Sequence, residues 1–127
     1  MTSGKGRVVI LGTGGTIAGT AASAGDNVGY SAAQLGVAQL VAAVPALAEV
    51  PIEAEQVAQL DSKDMRLAVL RRLAERVQVQ LDRPEVAGVV VTHGTDTLEE
   101  TAWLLHRVLR APKPVVLTAA MRPATSL

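Results

Sequence analysis

The residues best suited to chemistry fall in four short segments. Gly12-Thr13-Gly14-Gly15-Thr16-Ile17-Ala18-Gly19 sets hydroxyls in a glycine-rich turn, and Asp61-Ser62-Lys63-Asp64 mixes a hydroxyl with charges. His93-Gly94-Thr95-Asp96-Thr97 puts hydroxyls beside a carboxylate, and Ala119-Ala120-Met121-Arg122 is small and then basic. A threonine hydroxyl is a weak nucleophile that needs a proton acceptor at its side. Thr16 is therefore of interest if its loop delivers it to the Thr95–Asp96 pair.

Each segment also has a plainer explanation. Gly12 and Gly14 match the first two glycines of a dinucleotide fingerprint, but Ile17 stands at the third, and no Walker-type Gly-Lys-Ser/Thr is present. No cofactor is expected, and the first segment could be only a strand-exit turn. Thr95 and Asp96 could simply cap the helix that follows, with Asp96 and Glu99 as a capping box. Lys63 could hold a substrate carboxylate or sit solvated near a helix start. His93 reads as a packed strand-end residue, His106 as solvated, Trp103 as helix packing, and Tyr30 as either a loop anchor or a catalytic group.

The elements that position these segments alternate. Arg7–Leu11, Gly88–Thr92 and Pro114–Thr118 are continuous apolar runs, the pattern of strands buried on both faces. Ile52–Gln59 alternates with Glu53, Glu55, Gln56 and Gln59, which suits an edge. Helical stripes run through Val37, Leu40, Val41 and Val44 up to Pro45, through Leu70, Leu73, Val77 and Leu81, and through Leu98, Ala102, Leu105 and Leu109. Strands alternating with helices predict an α/β fold, a doubly wound, mostly parallel sheet with helices on both faces, of flavodoxin or Rossmann type. All four polar segments then follow strands, on the rim where such sheets bind ligands. Thr13–Tyr30 is the one long loop, and its Gly19–Tyr30 part has the small-residue composition of a lid. Nothing in the pattern covers the last strand, so the fold is expected to be incomplete at its C-terminus.

Composition narrows the function classes. The chain has 127 residues, no cysteine, two histidines and a formal net charge of zero. Thiolate chemistry, disulfides and cysteine-based metal sites are excluded, and no metal site is expected. Balanced charge and 2% aromatic residues argue against nucleic-acid binding. No apolar run approaches the roughly 20 residues of a membrane span, and Met1–Gly6 lacks the pattern of a signal peptide, so no membrane partner and a cytoplasmic location are expected.

Ile10-Leu11-Gly12-Thr13-Gly14-Gly15-Thr16-Ile17-Ala18 and Gly88-Val89-Val90-Val91-Thr92-His93-Gly94-Thr95-Asp96-Thr97-Leu98 together resemble the two signature segments of bacterial-type L-asparaginases. Ala43–Leu47, Asp61–Met65 and Ala120–Ser126 support the likeness, which runs from about Val8 to Leu127. The resemblance implies cofactor-free hydrolysis of L-asparagine, with L-glutamine as a second substrate, to the acidic amino acid and ammonia. It implies Thr16 as nucleophile, assisted by Tyr30. Thr95 and Asp96 become a second hydroxyl–carboxylate group, working with a lysine further along the family's chain. Asp96 would hold the substrate α-ammonium, Ser62 its α-carboxylate, and Ala120 would present backbone groups to the scissile amide. Lys63 stands where many relatives carry glutamine. The chain, residues 1–127, is then expected to be a single N-terminal α/β portion without the family's smaller C-terminal domain, from a homotetramer, and inactive alone. The amidase subunit of a tRNA-dependent amidotransferase and a non-catalytic α/β binding module remain the alternatives.

Overall fold

The computed structural model describes residues 6–21, 30–31 and 36–124. Its core is a parallel sheet of four strands, β1 (Arg7–Gly14), β4 (Ile52–Leu60), β5 (Val86–Thr92) and β6 (Val115–Thr118), in the order β4-β1-β5-β6. A second pairing joins β2 (Thr20–Ala21) to β3 (Tyr30–Ser31), antiparallel. The helices are α1 (Val37–Ala42), α2 (Leu67–Leu81) and α3 (Leu98–Val108). Short 3-10 turns occupy Thr16–Ala18, Pro45–Glu49 and Ser62–Asp64.

The strand registers sort the side chains to two faces. Val9 and Leu11 pair with Val89 and Val91, and these in turn with Val115 and Leu117. This face packs on Leu73, Val77 and Leu81 of α2 and Leu105 of α3 to form the core. Alternate residues face the other way, where Gly12 receives α1: a Cβ there would fall 2.6 Å from that of Val37. Helices thus lie on both faces. Further along this second face the sheet is open, with Val116 53% exposed.

The chain leaves β1 for β4 on one side and crosses back to β5 on the other. The order therefore reverses between β1 and β5, and in such sheets the ligand crevice lies outside the carboxyl ends at that reversal. Those ends carry Gly15-Thr16 and His93-Gly94-Thr95-Asp96.

Several expectations need adjusting. The first strand runs to Gly14, so Gly12–Gly14 belong to the strand and the exit turn begins at Gly15. Residues 13–30 are not one loop, since the 3-10 turn and the β2–β3 pairing lie within them. Residues 22–29, the middle of the expected lid, lie outside the described residues. Trp103 does not pack into the helix layer; it is 64% exposed, with the Arg107 guanidinium 5.8 Å from its ring centre. The alternating strand is indeed an edge, and its acidic positions are held by α2 and the turn after it. Arg76 donates to both oxygens of Glu55 at 2.6 Å, and Arg83 to Glu53 at 2.6 Å. A charged edge also resists pairing with another sheet.

Burial and charge differ in weight here. Leu73 is fully buried, whereas Glu55 and Arg76 are half-exposed. Leu73→Ala is expected to cost about 2–5 kcal/mol in urea unfolding, and Glu55→Gln less than about 1 kcal/mol. Equal losses would show that the edge pair, not the α2 core, governs stability.

Candidate functional site

Hydrogen bonds and two glycine contacts bring the strand ends together. Thr13 Oγ1 donates to the Thr92 carbonyl at 2.6 Å, joining β1 to β5. Gly15 N donates to the Leu60 carbonyl at 2.9 Å, joining β1 to β4. His93 N donates to the Thr118 carbonyl at 2.9 Å, joining β5 to β6. Ala124 N donates to the Gly19 carbonyl at 3.0 Å, so the segment after β6 returns to the turn after β1.

Gly15 is in the left-handed region at φ 79°, following Gly14 at φ 106°, a sequence of angles that side chains disfavour. A Cβ on Gly15 would also fall 2.6 Å from the His93 and Gly94 backbone. One on Gly94 would fall 2.5 Å from Ser62 Oγ. The turns after β1 and β5 therefore touch through backbone, and the Ser62 side chain of the turn after β4 packs directly on Gly94.

That contact organises the polar residues. Ser62 is buried, and its Oγ accepts from Asp96 N at 3.0 Å while its carbonyl accepts from Thr97 Oγ1 at 2.9 Å. Having accepted from Asp96, the Ser62 hydroxyl keeps a proton to donate. Thr95 and Asp96 are exposed at the rim, and Thr16 is half-buried in its turn. Ala120 is half-buried just after β6 and lines a cavity with Ile17. Tyr30 is described only through its backbone, paired with Ala21; the expectation for its phenol lies outside the described residues.

The capping explanation for Thr95 and Asp96 does not hold. Helix α3 starts at Leu98 with Thr97 as its N-cap, and no side chain caps it. Asp96 instead lends its backbone N–H to Ser62, which leaves the carboxylate at the rim. Lys63 is exposed, with its ammonium 3.1 Å from the Asp64 carboxylate. That hydrogen bond, and more weakly the nearby charges of Asp64, Asp61 and Asp96, hold its pKa above the usual lysine value.

His93 is fully buried and uses both ring nitrogens, Nδ1 at 2.7 Å from the Gly94 carbonyl and Nε2 at 2.8 Å from Thr101 Oγ1. The carbonyl can only accept, so Nδ1 carries the proton and Nε2 accepts from the threonine. The ring thus ties the β5 exit to the first turns of α3. The pairing with Thr101 was not read from the sequence, although a buried-type histidine eight positions ahead of an inward helix threonine is the pattern that could have shown it. Burial pushes the His93 pKa down, partly opposed by the Gly94 carbonyl and Glu100.

No group of three His, Asp or Glu side chains that could hold a metal occurs among the described residues, and none of the described helices is long and apolar enough to cross a membrane.

A histidine whose pKa is lower folded than unfolded binds fewer protons in the native state. Stability then rises with pH between the two values and is lost as pH falls below about 6.5. Thermal midpoints should fall between pH 7 and 5, before the carboxylates titrate, and His93→Gln should flatten that dependence. An unchanged slope in the variant would assign the acid sensitivity elsewhere.

Comparison with known proteins supplies a family for this arrangement. The family model described as Asparaginase, N-terminal, matches residues 7–127. The chain is 46% identical over 121 residues to a glutaminase-asparaginase of Pseudomonas fluorescens biotype A, covering 94% of this chain and 33% of that protein. It is 44% identical over 121 residues to L-asparaginase 2 of Escherichia coli K12, covering 94% and 34%. Among solved structures, a probable cytoplasmic L-asparaginase from Campylobacter jejuni superimposes with a TM-score of 0.91 at 44% identity, over 97% of this chain and 38% of the other. The chain spans about a third of the length of these relatives.

Proposed function

Since the chain belongs to the asparaginase family, matching its N-terminal domain over residues 7–127, we propose that it supplies the nucleophile and most of the substrate-binding groups for hydrolysis of L-asparagine, with L-glutamine as a second substrate. The observation that carries this reading is the direct contact of three strand-end turns. It holds the Ser62 hydroxyl on the Asp96 turn, beside Gly94, which is pressed against Gly15, the residue before Thr16.

The chemistry follows from the residue types. An α-amino acid presents an ammonium and a carboxylate. Asp96, with its carboxylate at the rim, would hold the ammonium. Ser62, with a hydroxyl proton to spare, would hold the carboxylate, and Lys63 would move from Asp64 to support it. Thr16 Oγ attacks the side-chain amide carbon as its proton passes to a neighbouring acceptor. The carbonyl oxygen becomes an oxyanion, for which fixed backbone N–H groups are the usual stabilisers, and the backbone at Ala120 would present such a group. The C–N bond then breaks, the nitrogen takes a proton, and ammonia leaves. Water hydrolyses the resulting threonine ester to L-aspartate and restores the hydroxyl. Thr95 and Asp96 form the second hydroxyl–carboxylate pair, and Tyr30 assists Thr16. No cofactor enters this scheme. The same reading makes the protein a cytoplasmic homotetramer when joined to the smaller C-terminal domain.

The test joins residues 7–127 in frame to the remainder of the E. coli relative and measures ammonia released from L-asparagine. Turnover without tRNA is expected. Thr16→Ala and Thr95→Ala should each lower it by about 10²-fold or more, with the melting temperature nearly unchanged. A stability loss with retained turnover would make both threonines structural and overturn the reading.

A further inference from the structure

Thr92 closes β5 at the reversal of strand order, between Gly12 of β1 and Thr118 of β6. It is 7% exposed. Its carbonyl accepts from Thr13, but its side-chain Oγ1 is buried with no hydrogen-bond partner among the described residues. Buried hydroxyls are nearly always satisfied, and an unsatisfied one is costly to the fold.

Strand alternation puts this hydroxyl on the face that carries α1, opposite Val91 and the main core. On that face Gly12 has no side chain and Val90 is apolar, so Thr118 is the hydroxyl-bearing neighbour across the β5–β6 pair. The same face receives the continuations of both flanking strands. Ile17 from the turn after β1, and Ala120, Arg122 and Pro123 from the segment after β6, line one cavity of about 360 Å³ with Leu40 of α1, next to but not including Thr92. The Ala124–Gly19 hydrogen bond closes the two segments on each other. Thr92 therefore ends the strand that lies between the two strands whose continuations meet.

We propose that the Thr92 hydroxyl binds a water molecule beneath the Thr16–Gly19 turn and is a positioning residue for Thr16. The occupant is water because the unsatisfied group is a single buried, uncharged hydroxyl, 7% exposed as a residue, whose nearest polar neighbours on that face are a second threonine and backbone. A buried water needs two to four polar partners. Thr92 and Thr118 would provide two, and the backbone of the turn a third. The link to catalysis rests on the reading of Thr16 as nucleophile; the water site itself does not.

Two substitutions test it in the 127-residue chain. Thr92→Val keeps the shape and removes the hydroxyl, and Thr92→Ser keeps the hydroxyl. Hydrogen exchange is followed at Ala18 N and Gly19 N, which donate to the Gly15 and Thr16 carbonyls and so report the turn. Water-to-protein cross-relaxation in NMR is followed at the Thr92 hydroxyl. The expected results are a long-lived water contact in the parent and about tenfold faster exchange of those amides in the valine variant, equal to about 1.4 kcal/mol. Amides of α2 should be unaffected, and serine should restore protection. A raised melting temperature in Thr92→Val with unchanged turn exchange would overturn the proposal, because that is how relief of an unsatisfied hydroxyl behaves. In the ammonia-releasing fusion, Thr92→Val should lower kcat about tenfold and leave KM within about twofold. Faster turn exchange with unchanged kcat would uphold the water site and count against Thr16 as nucleophile.

Discussion

The approach of backbone to backbone at Gly15 and Gly94 is the constraint on which the rest of the rim depends. A methyl group at either position would collide at 2.5–2.6 Å, on the Gly15 side with main chain that cannot swing away. Thr16, Ser62, Lys63, Thr95 and Asp96 all sit on the three turns that these glycines press together. The sheet supplies the opposite requirement. At the reversal of order the connections after β1 and β5 leave for opposite faces, and without tight turns the hydroxyls of Thr16, Ser62 and Thr95 would sit on separate edges of an open crevice.

Close approach leaves backbone groups to satisfy, and the structure does so with side chains of adjacent strand ends. Thr13 caps the β5 carbonyl, Ser62 receives the Asp96 N–H, Thr97 returns a bond to Ser62, and His93 bridges Gly94 to Thr101. Buried Thr13, Ser62 and His93 thus act as fasteners, and Thr95 and Asp96 stay exposed. The division follows from burial. A buried polar group must be paired, so the groups with capacity left over are those at the solvent boundary.

Much of this was legible in the sequence because the signals were periodic. Continuous Val and Ile runs gave three strands, and the alternating acidic run gave the β4 edge, since an outer strand has one side without a neighbour. The convergence of four polar segments followed from parallel topology alone. Long-range pairing was not legible. Ser62 and Asp96 are 34 positions apart, and nothing local marks Ser62 as the acceptor for that turn. The capping explanation fails because α3 begins only at Leu98, with Thr97 at its N-cap, and Asp96 lies outside the capping position. Trp103 is exposed because an apolar residue beside a helical stripe need not lie on its buried arc. The strand runs past the point its glycines suggest: Gly12 and Gly14 resemble loop residues, yet Gly12 is a strand position kept small by Val37.

The central claim is that three strand ends form one binding site for an α-amino acid. The most direct measurement is an amide-resolved NMR titration of the chain with L-aspartate, in parallel with Gly94→Ala. Shifts are expected together, with one dissociation constant, at Thr16, Ser62, Thr95 and Asp96, and the alanine variant should lose them while the α2 and α3 amides keep their native positions. Shifts confined to a single turn, or retained in full by the Gly94→Ala protein, would contradict a shared site built on that contact.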